Sequence, residues 1–450
     1  MSSGMGFPTA SQRREALERI DKSQSRIALL RLEIEFLSME IEQDRFFIAP
    51  HRRLPSEVLG EIFAHTAPHG SGTWMAPFVL SQVSRHWRTV VKHTSAAWNH
   101  ICVRIVANIN SLQIIKLWLK RSGFLPLYLR FETPDGKAAQ TTEAIHSGSL
   151  AGVLAILLPH VARWNSLTIF IGDAPYHSLW NIQALLQQFN FEMPALQAFS
   201  LDTAKHLWQD YHVLKGSMPR LRELVIGRCR PTTTSHWLPH LQHLHIGHAT
   251  HCLFYIHSLL RVCSQLKTLR LDALIPDREP PPGLEPIVFP RLERIQVNNL
   301  KYMAFLRLPK LRSFEFGKRS PTGAHEGFML ITSLRMMLLM SRNTCLRTLT
   351  LRNVVASPIA FSSLRDIPSL EIFCMSNCPV ILTTVDILKD ATLCPRLHTL
   401  EFFECNLDSC AVLELVEIRN KACAKDGASI IQKVVMVNLP TGDGDISTLA

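Results

Sequence analysis

Apolar and polar positions along this chain fall into three regimes, each predicting a different kind of element. Between Ser11 and Ile48 no Pro or Gly occurs, and Ile20, Ile27, Ile34, Ile41 and Ile48 recur every seven residues, with Leu30 and Leu37 at the partner position. The spacing predicts a helix over 11–49 with a heptad seam flanked by mixed charge. Ser23 and Asp44 interrupt the second line of the seam. Two readings stand at this point: a helix laid against the next domain, or a coiled coil formed with a second copy or a partner.

The second regime spans 50–100. Val58, Leu59, Ile62 and Phe63 repeat at helical spacing, with Pro55 and Glu57 in the first turn, where both favour a helix start. After a loop from Pro68 to Pro77, the run VLSQVSRHWRTVV predicts one further amphipathic helix carrying Val79, Leu80, Val83, Trp87, Val90 and Val91. Trp98 is expected to close this segment.

The third regime fills the rest of the chain. Nine segments share the pattern (P)-x-L-x-x-L-x-L, and their first leucines are Leu196, Leu221, Leu241, Leu266, Leu292, Leu311, Leu346, Leu370 and Leu397. Seven of the nine open with Pro, which suits a loop entering a strand. The spacings run mostly from 20 to 27 residues, with one of 19 and one of 35. That is the period of leucine-rich repeats, in which each repeat contributes one short strand and buries its leucines against the next turn. Weaker copies lie at Trp98–Val106, Phe124–Phe131 and Arg163–Ile171. Helices are expected over Phe254–Cys263 and Phe328–Ser341, a closing helix over Leu407–Asn420, and a last strand over Val434–Leu439. The fold class is therefore α/β: an N-terminal helix and short helical segment (11–49 and 50–100), then an irregular solenoid over 101–440 with parallel strands concave and helices convex. Residues 441–450 are read as a mobile tail.

Composition narrows the function classes. The longest apolar run, Leu150–Leu158, stops at Pro159 and is far short of the roughly 20 residues of a membrane span. With no signal-peptide-like apolar core at its start, the chain is expected to be soluble and intracellular, cytoplasmic or nuclear, with no membrane partner. Eleven cysteines, an odd number scattered over 450 residues, point to reduced thiols. Lys and Arg number 48 against 37 Asp and Glu, a net charge of +11. The excess is spread along the chain, which favours a protein target over nucleic acid.

The 50–100 segment carries a resemblance. L-P-x-E-V-L-x-E-I-F from Leu54, followed by V-S-R-x-W-R and a later Trp, resembles an F-box, a three-helix adaptor-binding motif. The order of heptad helix, F-box and degenerate leucine-rich repeats is similar to F-box proteins of mushroom-forming fungi. The loop between the helices, HTAPHGSGTWMAP, is longer than in many F-boxes. The resemblance implies a substrate receptor of an SCF-type cullin–RING ubiquitin ligase, itself non-catalytic, bound to a Skp-type adaptor and through it to a cullin. Leu54, Pro55, Val58, Leu59, Ile62, Phe63, Val83 and Trp87 would then be the adaptor-binding residues. A ligase-independent scaffold with a degenerate F-box is the alternative. A bundle core of its own would use Val58, Val83, Val90 and Trp87.

In the repeat frame, outward side chains at equivalent strand positions line up in ladders. One reads Ser200, Val225, His245, Arg270, Gln296, Glu315, Thr350, Cys374, Glu401. Its neighbour reads Ala198, Glu223, His243, Thr268, Arg294, Ser313, Thr348, Ile372, Thr399. His243, His245, Arg270 and Arg294 thus meet as a basic mid-section, the candidate target-binding site for an acidic or phosphorylated segment.

The other tempting clusters read as structural. Seven histidines fall between His236 and His257, but the frame turns only His243 and His245 outward and leaves the rest on loops, so no metal is expected. Cys229, Cys378 and Cys405 occupy the buried turn position of the repeat, and Cys374 is expected on the exposed strand face. No cofactor motif occurs.

Overall fold

A computed structural model of the chain describes residues 9–48, 54–66, 76–104, 110–132, 147–171, 191–203, 216–227, 235–247, 253–272, 284–318, 324–355, 361–379, 386–405, 407–426 and 428–437. The chain divides into two compact units, Met1–Ala97 and Trp98–Ala450.

In the first unit, α1 (Ala10–Ile48) is one continuous helix, as the absence of Pro and Gly predicts. Of its described side chains only Ala16 is half-buried, and the others are exposed. Three short helices follow, α2 (Ser56–His65), α3 (Ala76–Val83) and α4 (Arg85–His93). Pro55 caps α2 from the extended region rather than forming its first turn. The single helix expected over VLSQVSRHWRTVV is split in two at Ser84. There the backbone is extended, and the Ser84 side chain accepts a hydrogen bond from the Trp87 amide at 3.1 Å. A serine that satisfies an orphan donor makes a good helix start and so breaks an otherwise continuous apolar pattern.

The second unit is a leucine-rich-repeat solenoid. Its strands are β1 (His100–Arg104), β2 (Leu127–Glu132), β3 (Trp164–Ile171), β4 (Ala198–Thr203), β5 (Glu223–Ile226), β6 (His243–Ile246) and β7 (Thr268–Leu271). After a short β8 (Ile287–Val288) come β9 (Arg294–Val297), β10 (Leu306–Arg307), β11 (Ser313–Gly317), β12 (Thr348–Arg352), β13 (Ile372–Ser376), β14 (Thr399–Phe403) and β15 (Lys433–Val437). Thirteen of them form one sheet in chain order, every neighbouring pair parallel, while β8 and β10 pair separately. The weak repeat copies at the N-terminal end supply β1, β2 and β3. Among the described connections are α5 (Asn110–Arg121), α6 (Ser147–Leu157), α7 (Leu253–Val262), α8 (Ala324–Met340) and the closing helix α9 (Ser409–Asp426).

Trp98, expected to close the helical segment, belongs instead to the solenoid. It is fully buried, its ring meets that of Trp118 edge-on at 5.4 Å, and the Arg121 guanidinium sits 4.3 Å over it.

The role of the repeated proline is visible in the turns. The residue before it is always buried: Met193, Met218, Leu238, Phe289, Leu308, Ile367 or Cys394. Its carbonyl accepts from the amide of the first repeat leucine three residues on, as at Met193–Leu196, Met218–Leu221 and Leu308–Leu311. Proline at the second position of such a turn pre-sets the backbone and gives up no needed donor. All nine first leucines are no more than 1% exposed, so each repeat adds a full side chain to one continuous core. Burying each contributes about 1.5–3 kcal/mol.

Candidate functional site

Two sets of side chains come from the sequence, one in each unit. In the helical unit, Leu59 and Phe63 were expected at a contact surface but are enclosed within the unit together with Val90 and Val91. Phe63 packs against Trp87 with ring centroids 5.0 Å apart, and Trp87 is half-buried. Adjacent positions on a short helix point to different sides, so Val58 and Ile62 remain 43% exposed while Leu59 and Phe63 do not. Val83 is 49% exposed, Pro55 is exposed and Leu54 half-buried. Val79, one turn before Val83 on α3, is 59% exposed and was absent from the candidate set. The i, i+4 relation to Val83 was the signal available in the sequence. The outward apolar rows are therefore Val58/Ile62 and Val79/Val83. Among the alternative bundle-core residues, Val90 is enclosed and Val58 and Val83 are not.

On the solenoid, both ladders read from the repeat frame are present residue for residue. Val225 pairs with His245, His245 with Arg270, and Arg270 with Gln296. Glu223 pairs with His243, His243 with Thr268, and Thr268 with Arg294. The inward residues between them, Leu244, Ile246, Leu269 and Leu271, are at most 2% exposed and hold the strands rigidly in register. His243, His245, Arg270 and Arg294 share one depression of about 430 Å³, together with Glu223 and Glu315.

The charge there is not simply basic. Asp272, one step beyond β7, accepts from Arg270 Nε at 2.6 Å and pairs with His245 Nε2 at 3.1 Å. Its side chain is only 7% exposed. Burial pushes the carboxyl up, but the hydrogen bonds from His245 and Arg270 and their charges outweigh it and hold Asp272 below the usual carboxylate range. The repeat pattern ends at Leu271, which concealed this residue. Continuing the strand alternation by one step places Asp272 beside Arg270. His243 Nδ1 shares a 2.7 Å hydrogen bond with Thr268 Oγ1. Among the described residues Arg294 has no ion-pair partner, whereas Glu315 farther along is paired with Arg352 at 2.7 Å.

The remaining clusters are structural. His257 lies on α7 rather than on a loop, buried, with Nε2 2.7 Å from the Glu285 carbonyl. His248 and His251 lie outside the described residues, as does Cys229. Cys378 and Cys405 are buried in their turns, each thiol directed at a carbonyl of the preceding strand, Leu351 and Met375. Cys374 was expected to be exposed and is 8% exposed. It does sit on the outward ladder, between Thr350 and Glu401, and burial with the Glu401 charge pushes its thiol up to about 11. Among the described residues no three His, Cys, Asp or Glu side chains converge as a metal site. Nor is any described helix long and apolar enough to cross a membrane.

No family model matches the chain, and no curated protein is detectably similar to it. Solved structures do align with it. A chain of the yeast Rad7 and Elc1 complex is 16% identical, with 84% of this chain and 94% of that one covered at a TM-score of 0.34. An internalin, InlF of Listeria monocytogenes, is 13% identical, with 80% and 93% covered at a TM-score of 0.32. What this chain is follows from its own coordinates: a leucine-rich-repeat solenoid preceded by a helical unit.

Proposed function

We propose that this chain is the substrate-receptor subunit of an SCF-type cullin–RING ubiquitin ligase. The helical unit, read as an F-box, docks on a Skp-type adaptor and through it on a cullin, and the solenoid holds a target protein. The chain performs no chemistry itself. One observation carries the reading: Val58, Ile62, Val79 and Val83 stay 43–59% exposed on a unit whose core is already filled by Leu59 and Phe63. Apolar rows at i, i+4 that their own unit does not cover suit a helix-in-groove partner. The F-box-like run from Leu54 supplies the class of that partner, with Leu54, Pro55 and Trp87 at the rim and Phe63 and Leu59 supporting from beneath.

For the target, the favoured anchor is Arg294, with His243 and His245 beside it on rigid strands and Arg270 already engaged by Asp272. An acidic or phosphorylated segment fits this arrangement, because a carboxylate or phosphate can accept from Arg294 without first breaking an ion pair. The test is a pull-down of the full chain beside a Leu54→Ala/Pro55→Ala variant. Recovery of adaptor and cullin with wild type and their loss with the variant is the expected result. Their absence from the wild-type pull-down leaves the chain a ligase-independent scaffold and overturns the reading. Charge reversal at Arg294 with unchanged target recovery would sink the target-site assignment alone.

A further inference from the structure

Every described large apolar side chain of α1 is at least 41% exposed, from Leu30 at 41% to Phe47 at 76%. Apolar surface on that scale marks an interface. The sequence arranges it as two stripes on opposite sides of the helix. One is the heptad seam of Ile20, Ile27, Leu30, Ile34, Leu37 and Ile41. The other is Leu29, Leu32, Phe36 and Met39, also at coiled-coil spacing. What pairs with either stripe is decided by the charges that flank it.

We infer that α1 forms an antiparallel coiled coil with the α1 of a second copy of this chain, through the Ile20–Ile41 seam. In a parallel pair, each residue preceding a seam isoleucine faces the residue that follows the next partner position. That arrangement sets Arg26 against Arg31 of the second copy and stacks Asp44 on Asp44 inside the seam, with Glu40 against Arg45 as its one attractive kind of flanking pair. In an antiparallel pair, the residues preceding the isoleucines face one another. Arg19 then meets Glu40 of the second copy and Arg26 meets Glu33, each twice by symmetry. The core layers in the same register are Ile20 on Leu37, Ile27 on Leu30, Ile34 on Ser23 and Ile41 on Ala16. The two interruptions of the seam are absorbed: Ser23 and Ala16 give small layers toward the ends, and Asp44 falls opposite Arg13.

The opposite stripe does not offer the same partner. Its flanks along Leu29–Met39 are acidic, Glu35 and Glu42 on one side and Glu33 and Glu40 on the other, so antiparallel self-pairing brings Glu33 onto Glu33 and Glu35 onto Glu35, opposed only by Arg26 against Glu40. Parallel self-pairing sets Glu35 against Glu40. Flanking charge of this kind sets partner and orientation more than it sets affinity. Here it selects one stripe, one orientation and one register, and that register overlaps the two helices along nearly their full length. The consequence is a bivalent chain whose two solenoids can engage a multivalent target with avidity. The inference stands independently of the ligase reading, because it uses no residue of α2, α3 or α4.

The test is the mass of the full-length protein in solution, by light scattering across micromolar concentrations. Wild type is expected at twice the 50.9 kDa of one chain. Arg19→Glu/Arg26→Glu turns all four cross-pairs repulsive and should weaken the dimer on the order of a hundredfold. Glu33→Arg/Glu40→Arg should do the same, and an equimolar mixture of the two variants should recover the dimer. Recovery on mixing also separates lost pairing from lost helix. In a parallel coiled coil Arg26→Glu would instead gain Arg31, so a dimer that survives or tightens in the first variant overturns the proposal. A wild-type monomer overturns it too, as does a dimer indifferent to Ile27→Asp/Ile34→Asp.

Discussion

Arg419 is the most heavily committed polar side chain of the closing helix. It lies in α9, fully buried, and its two terminal nitrogens donate to four carbonyls. Nη1 donates to the oxygens of Leu388 and Asp390 at 2.9 Å each, and Nη2 to those of Leu393 and Cys394 at 2.8 Å each. Burial lowers the guanidinium pKa, yet arginine is the cation that stays charged under such pressure. Replacing it by Met fills much of the space but leaves the Leu388 and Leu393 carbonyls without donors, while those of Asp390 and Cys394 keep the amides of Leu393 and Leu397. Each unsatisfied group costs about 1–3 kcal/mol, reduced where backbone relaxation admits water, so a net loss of about 2–4 kcal/mol is expected. In a solenoid that loss falls on the terminal turns before the rest.

The assay is amide hydrogen exchange of peptides covering 386–397 and 409–426. Arg419→Met should speed exchange there roughly a hundredfold while β4–β7 stay protected. Arg419→Lys, whose single ammonium cannot span four carbonyls, should fall between. Arg365→Ala removes only the exposed Arg365–Asp390 pair at 3.2 Å and should change exchange little. Unaltered exchange in Arg419→Met would refute the assignment of Arg419 as the tie between α9 and the segment before β14.

Three further outcomes are expected. Because the carboxyl of Asp272 is held low in the folded state, the stability it adds is complete above the unfolded carboxylate value, about 3.9, and is lost as pH falls through its folded value. Denaturant midpoints of wild type and Asp272→Asn should therefore differ most at pH 5 and converge toward pH 2; a constant gap refutes this. Burial pushes the thiols of Cys263 and Cys394 up to about 12, so native alkylation at mild alkaline pH should mark the exposed Cys345 and Cys410 and spare those two and Cys374. Peptide mapping reads the pattern. Glu404 has φ 53°, at the position after β14 where β12 and β13 are followed by Asn353 and Asn377, also left-handed. Asn tolerates that region better than Glu, so Glu404→Asn should raise thermal stability by about 0.5–1 kcal/mol in a melting experiment.

The repeat solenoid was legible because each turn says the same thing. A strand register is hard to infer from one segment, but nine copies of one frame align themselves, which is why Val225, His245, Arg270 and Gln296 could be placed side by side in advance. What escaped lies where the repeat stops speaking. Asp272 is one residue past the pattern, and its neutralising contact with Arg270 depends on strand alternation continuing beyond the last leucine. Arg419 looks like a surface residue of an amphipathic helix, because a buried arginine is betrayed only by carbonyls distant in sequence. Cys374 holds an outward ladder position but is buried there all the same, which periodicity does not measure. In the helical unit the apolar period identified α2 but could not divide inward from outward faces: Leu59 and Val58 are adjacent, equally apolar and oppositely placed. The break at Ser84 was written as a capping residue inside a longer apolar period, and the local hydrogen bond outweighed the period.

The receptor function depends most heavily on the outward apolar rows of the helical unit being a docking surface. Titrating purified full-length chain with purified Skp-type adaptor, by calorimetry, tests this directly. A one-to-one complex is expected, weakened about thirtyfold or more when a charge is placed in the row by Ile62→Asp, and barely altered by Arg294→Glu on the solenoid. Circular dichroism of the variants controls for folding. No binding by wild type, or equal binding by Ile62→Asp, would contradict the receptor function.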